Sequence, residues 1–256
     1  MKCRLRKIVP LVGLLIGCWS LAVPAAPAVA PAQAGKPVAV ASVPSTTTPV
    51  ARDDKSWMNR HLSMNARVKK GHVDMIFIGD SITNCWENRG KSVWQEYYGN
   101  RNAVNLGIGG DRTQHVLWRL KNGNIEGISP KLAVLMIGTN NASSHDTPAQ
   151  IADGVQAILS ELRCKLPSTK ILILGIFPRG GDNHDPLRQV NVKTNALLET
   201  MADGKSILYQ DIGPKFLTGD TLPKTIMPDL LHPNEAGYKI WATAIEPTVA
   251  ETVGPK

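Results

Sequence analysis

Five short, mostly apolar runs punctuate this chain, at residues 73–78, 103–106, 132–137, 171–176 and 207–210. Strands apolar on both sides of the pleat belong in a sheet buried on both faces, which is the habit of parallel sheets. Parallel neighbours cannot be joined by a hairpin, so each pair needs a crossover. Helical patterns at 92–98, 113–121, 148–165, 186–202 and 234–250 supply those crossovers, and another at 55–70 precedes the first strand. Right-handed connections place helices on both faces. The expected fold is α/β, a three-layer sandwich around a five-stranded parallel sheet of flavodoxin-like order. About 200 residues from Asp53 onward suffice for one such domain with a sizeable core.

Open parallel sheets keep their sites at the carboxyl ends of the strands. The first strand runs through Ile76-Phe77-Ile78 into Gly79-Asp80-Ser81 and leaves a hydroxyl there. That tripeptide alone is ordinary turn chemistry. It gains meaning from Asn105-Leu106-Gly107-Ile108-Gly109-Gly110-Asp111, Gly138-Thr139-Asn140-Asn141 and Asp229-Leu230-Leu231-His232-Pro233. The first two follow the second and third strands, and the last enters the final helix, so a parallel sheet lets all four segments converge. A serine hydroxyl needs a base, and His232 is the candidate, with Asp229 to fix its tautomer. The Ser81 and Gly110 N–H groups and the Asn140 amide can serve as oxyanion donors. This is the equipment of a serine esterase. The glycine run at 107–110 is Gly-x-Gly-Gly after the second strand, not a dinucleotide fingerprint. His115, on the helical face that follows, reads as structural.

The first fifty residues differ in kind. Lys2, Arg4, Arg6 and Lys7 precede an apolar run that ends near Pro24, so residues 1–21 read as a secretory signal. Leu15-Ile16-Gly17-Cys18 resembles a lipobox that would place a lipid anchor on Cys18; Ala26-Pro27-Ala28 and Ala32-Gln33-Ala34 offer ordinary cleavage instead. Residues 22–52, rich in Ala, Pro, Val and Thr, are expected to be a disordered linker ahead of the domain at 53–256. The net charge of +8 misleads: residues 1–52 hold six basic residues and no acidic one. The rest is nearly neutral, which gives no case for a nucleic-acid partner. Cys85 and Cys164 read as two lone buried thiols, with a disulfide as the alternative. No Cys/His cluster has zinc-ligand spacing and no acidic loop resembles a calcium site, so neither metal nor cofactor is expected. The oligomeric state is left open.

The motifs resemble those of the SGNH (GDSL) hydrolase superfamily, and within it the platelet-activating-factor acetylhydrolase alpha-subunit type. Gly79-Asp80-Ser81 is similar to the first block, and the 105–111 segment continued by His115-Val116-Leu117-Trp118-Arg119-Leu120 to the second. Gly138-Thr139-Asn140-Asn141 resembles the third block of that subgroup, and the likeness extends from about residue 73 to 245. It implies that Ser81, Gly110, Asn140 and His232 are the namesake residues and that Asp229 completes the triad.

Ile82, Thr139 and Leu231 adjoin Ser81, Asn140 and His232 in sequence, and branched side chains there would leave room for little more than an acetyl group. Trp86 reads either as core or as a platform for a sugar ring or headgroup, and Arg179 either as a substrate contact or as one half of a salt bridge. The leading expectation is an exported, periplasmic, lipid-anchored or secreted esterase for short acyl groups, with a small-molecule or glycan ester such as an O-acetylated carbohydrate as substrate. A lysophospholipase or thioesterase for longer chains is the alternative within enzymes, and a noncatalytic carbohydrate-binding domain the alternative outside them.

Overall fold

The computed structural model describes residues 45–256. The domain opens on α1 (Lys55–Val68), whose first N–H groups, those of Ser56 and Trp57, donate to the Asp54 carboxylate. Then follow β1 (Met75–Gly79), the single turn α2 (Ser81–Asn84), α3 (Lys91–Tyr98) and β2 (Ala103–Gly107). The chain continues through α4 (Thr113–Lys121), β3 (Leu132–Met136), the short α5 (Thr139–Ser143) and α6 (Pro148–Lys165). It ends with β4 (Lys170–Leu174), α7 (Pro186–Glu199), β5 (Ile207–Gln210) and α8 (Glu235–Val253).

All strand pairs are parallel and the order is β2-β1-β3-β4-β5, the flavodoxin-like order expected from the sequence. Alternate residues of each strand feed opposite layers. Ile76, Ile78, Ala133, Leu135, Ile171 and Ile173 meet residues of α1, α4, α6 and α7. Phe77, Val134, Met136, Leu172 and Leu174 meet α3 and α8 on the other side. Gly79 lies opposite both Gly107 and Met136, so the ends of three strands are level. That register brings Ser81, the 108–111 turn and α5 to one edge.

Residues 45–52 differ from the linker expected there. Thr46 is fully buried, and its carbonyl accepts from Thr113 Oγ1 at 3.0 Å. The Val50 N–H donates to the Gln114 carbonyl at 3.2 Å. Alanine, proline and threonine composition signals a lack of core-forming residues, but a segment can still be fixed by backbone hydrogen bonds to a helix N-terminus. Cys18 and the expected signal segment lie outside the described residues.

Candidate active site

Ser81 is the first residue of α2, separated from the end of β1 only by Asp80. Asp80 starts that turn: its Oδ1 accepts from the Ile82 N–H at 2.9 Å. The rest of the Asp80 carboxyl is buried with Oδ2 unpartnered among the described residues. Burial, helped by the nearby Asp111, pushes its pKa up to about 7. His232 approaches from the loop before α8, and its Nε2 stands 2.9 Å from Ser81 Oγ. Its Nδ1 lies 2.9 Å from Asp229 Oδ2. The same carboxylate accepts the His232 backbone N–H at 2.7 Å and the Leu231 N–H at 3.2 Å. Burial raises the Asp229 pKa, but the His232 backbone and ring outweigh it and hold the carboxyl at about 2. Leu230 takes a left-handed φ of 57° to make this tight loop possible. The three side chains singled out at positions 81, 229 and 232 therefore form one hydrogen-bonded chain.

The opposite flank of Ser81 is the 108–111 turn. A Cβ built on Gly109 would lie 3.8 Å from Ser81 Cβ, which measures how closely the turn passes the hydroxyl. Gly110 has φ +77°, a conformation that glycine adopts without strain. Among the described residues, neither the Gly110 nor the Ser81 N–H has an acceptor. Asn140 is carried by α5, which opens on Gly138 at φ +136°. One hydrogen of its amide goes to the Asp111 carbonyl at 2.9 Å, which aims the group and leaves the other hydrogen to a ligand. Two backbone N–H groups and one side-chain amide are thus available where a negative oxygen could form.

Sequence reasoning missed what holds this flank. Asp111 is completely buried; its Oδ1 accepts from Trp57 Nε1 at 2.6 Å and its Oδ2 from Arg119 Nε at 2.8 Å. Arg119, also fully buried, donates onward to Asn124 Oδ1 at 2.6 Å and to the Gly79 carbonyl at 3.3 Å. The carboxylate lies in the turn before α4 and the guanidinium eight residues on, inside α4; neither that pairing nor the indole from α1 is marked by a local pattern. His115 is buried and structural as expected, with its Nδ1 accepting from the Arg112 N–H at 3.0 Å. Burial and the surrounding arginines hold it down at about 4, so it is neutral.

Other expectations are corrected. Ile82 and Thr139 are each 1% exposed: Ile82 packs in the α3/α8 layer, while Thr139 Oγ1 accepts from Arg179 at 3.1 Å. A residue adjacent in sequence to a catalytic group points elsewhere once it sits in a helical turn, so neither walls an acyl pocket. Leu231, half-buried, stays beside His232. Trp86 is wholly buried against Tyr238 and Trp241, with ring centroids 4.4 and 5.0 Å away, which makes it core and not a ligand platform. Arg179 donates to Thr139 and Ser143 instead of pairing with an acid. Cys85 and Cys164 are free, but neither is buried as expected: Cys85 is half-buried and Cys164 exposed. An open pocket of about 610 Å³ adjoins Gly110 and Asn140, walled by Arg52, Asp53, Arg112, His115, Ser143 and Ser144 among others. A larger one, about 840 Å³, lies along the β2 edge and is lined by none of the site residues.

The chain resembles known proteins in sequence and in fold. Residues 77–240 match the GDSL-like Lipase/Acylhydrolase family. The chain is 36% identical over 200 residues to the human platelet-activating factor acetylhydrolase IB subunit alpha2, covering 77% of this chain and 85% of that protein. It is 37% identical over 198 residues to the rat alpha1 subunit, covering 76% and 83%. Among solved structures it resembles a GDSL-like lipase of Bacteroides thetaiotaomicron, with TM-score 0.63, 19% identity and coverage of 75% and 97%. It also resembles an acetylxylan esterase of Geobacillus stearothermophilus, with TM-score 0.57, 20% identity and coverage of 71% and 94%. The chain belongs to the GDSL-like lipase/acylhydrolase family and is a carboxylic ester hydrolase.

Proposed function

We propose that this hydrolase is an exported serine esterase that removes short acyl groups, acetyl foremost, from hydroxylated substrates such as O-acetylated carbohydrates. The observation that carries the chemistry is the 2.9 Å contact of His232 Nε2 with Ser81 Oγ, backed by the 2.9 Å contact of Nδ1 with Asp229. His232 accepts the Ser81 proton as Oγ attacks the ester carbonyl. The oxyanion that forms is met by the Ser81 and Gly110 N–H groups and the free hydrogen of the Asn140 amide. Collapse breaks the bond to the leaving alcohol, which takes the proton from Nε2. Water then repeats the sequence on the acyl-enzyme and releases the acid. Asp229 stays ionised and stabilises the imidazolium.

Two observations favour a short acyl group on a polar alcohol. The pocket beside Gly110 and Asn140 is rich in charged and hydroxyl side chains, surroundings suited to a hydrated sugar and poor for an alkyl chain. The relatives at 36–37% identity are named acetylhydrolases. Export rests on the basic and apolar residues of the leader, and an anchor would use Cys18.

The test is hydrolysis of p-nitrophenyl acetate, butyrate, octanoate and palmitate by the full chain with Ser81→Ala alongside. Turnover that falls steeply beyond acetate and vanishes in Ser81→Ala bears the proposal out. A maximum at octanoate or longer moves the substrate to lysophospholipids or thioesters. Full turnover by Ser81→Ala overturns the mechanism.

A further inference from the structure

Arg52 lies ahead of α1 and outside the 77–240 span that matches the family, yet its side chain reaches the turn beside Ser81. Its Nη1 donates to the Gly109 carbonyl at 2.6 Å. Nη2 is 3.4 Å from Asp54 Oδ2, and Nη1 is 3.7 Å from Asp111 Oδ1. The same nitrogen would stand 3.0 Å from a Cβ built on Gly110. The backbone that carries Arg52 is fixed by the bonds from Thr113 to Thr46 and from Val50 to Gln114. Thr113 is in turn held through its N–H by Asn141 Oδ1 at 3.0 Å, one residue from Asn140.

The Gly109 carbonyl and the Gly110 N–H are two ends of one peptide unit. That unit is trans, so the N–H points away from whatever binds the carbonyl. A cation on the carbonyl draws electron density through the amide and makes its N–H a stronger donor. It also sets the plane of a peptide flanked by two glycines, which no side chain of their own can steady. Asp111 already has its counter-charge in Arg119 at 2.8 Å, so Arg52 is not needed for that purpose.

We propose that Arg52 is a positioning residue for the oxyanion site: bound to the Gly109 carbonyl, it orients and strengthens the Gly110 N–H that meets the developing charge. The inference rests on the proposed roles of Ser81 and Gly110. Loss of an interaction that matters chiefly when the oxygen becomes charged lowers kcat and spares KM.

The experiment compares Arg52→Ala, Arg52→Lys and Ser81→Ala in the full chain on p-nitrophenyl acetate, with kcat and KM separated and thermal unfolding recorded. Losing a whole oxyanion donor costs about a hundred- to a thousandfold, so weakening one in Arg52→Ala should lower kcat roughly ten- to a hundredfold, with KM within about twofold. Arg52→Lys should recover part of the loss, and guanidinium ion at tens of millimolar should restore turnover to Arg52→Ala. A kcat for Arg52→Ala equal to the parent, with Ser81→Ala inactive, overturns the role of Arg52 and leaves the esterase reading standing. So does a loss that follows a lowered melting temperature and yields to neither lysine nor guanidinium. Activity retained by Ser81→Ala overturns both.

Discussion

On one flank of Ser81 the histidine and its carboxylate sit three residues apart in a single loop, 21% and 43% exposed, and hold each other. On the other, the Gly109–Gly110 turn is gripped from below by Asp111 and Arg119, both 0% exposed, and from outside by Arg52. The first flank is a local device that a short stretch of sequence can encode. The second draws on α1, α4 and the segment at 45–52, and its polar groups were removed from water to build it. Altering the exposed flank should therefore cost rate and little stability, whereas altering the buried flank should cost both.

The largest effect belongs to the exposed flank. His232→Ala should lower kcat/KM on the order of ten-thousandfold or more, while its unfolding free energy moves by less than about 1 kcal/mol. Asp229→Asn should lose on the order of a thousandfold or more in kcat, because the histidine no longer keeps the productive tautomer. A large stability loss in either variant would erase the contrast between the flanks. Next comes Arg119→Met, which strands the buried Asp111 and should cost about 3–5 kcal/mol in urea unfolding, along with activity.

The two acids beside Ser81 should show opposite pH signatures. Asp229 is held at about 2 in the fold, below the ordinary value of about 3.9 for an unfolded chain. Its contribution to stability is present above that ordinary value and is lost as pH falls through about 2. Asp80 is raised to about 7, so its contribution is full below about 3.9 and disappears as pH rises through 7. Urea unfolding at a series of pH values should show Asp80→Asn gaining on the parent as pH rises from about 4 to 8. Asp229→Asn, at a carboxylate 43% exposed and therefore screened by solvent, should show only a small deficit, closed in strong acid. The smallest effect is that of Arg89, which lies 3.4 Å from Asp229 with both side chains over 40% exposed. Arg89→Ala should change stability by less than about 1 kcal/mol and kcat by a few-fold at most.

The same contrast governs what the sequence discloses. The parallel sheet was legible because strands buried on both faces must be apolar, and β1, β3 and β4 past its first residue, Lys170, are. Ser81, His232 and Asp229 were legible because a turn and a short loop display their chemistry locally. Trp57, Arg119 and Arg52 were not, since each acts through contacts 8 to 57 residues distant in the chain that only the fold creates. Ile82 and Thr139 misled for a related reason: adjacency along the chain does not say which way a side chain leaves a helical turn, and both turn into the protein. The segment at 45–52 misled because its order comes from hydrogen bonds between its own backbone and the start of α4, which leave no apolar pattern.

The most direct test of Ser81 as nucleophile is to label the full chain with a short alkyl fluorophosphonate and locate the adduct by peptide mass spectrometry. The expected outcome is one phosphonyl group on Ser81, loss of esterase activity in step with labelling, and no label in His232→Ala over the same time. An adduct at another serine that abolishes activity, or full inhibition with Ser81 unmodified, would contradict it.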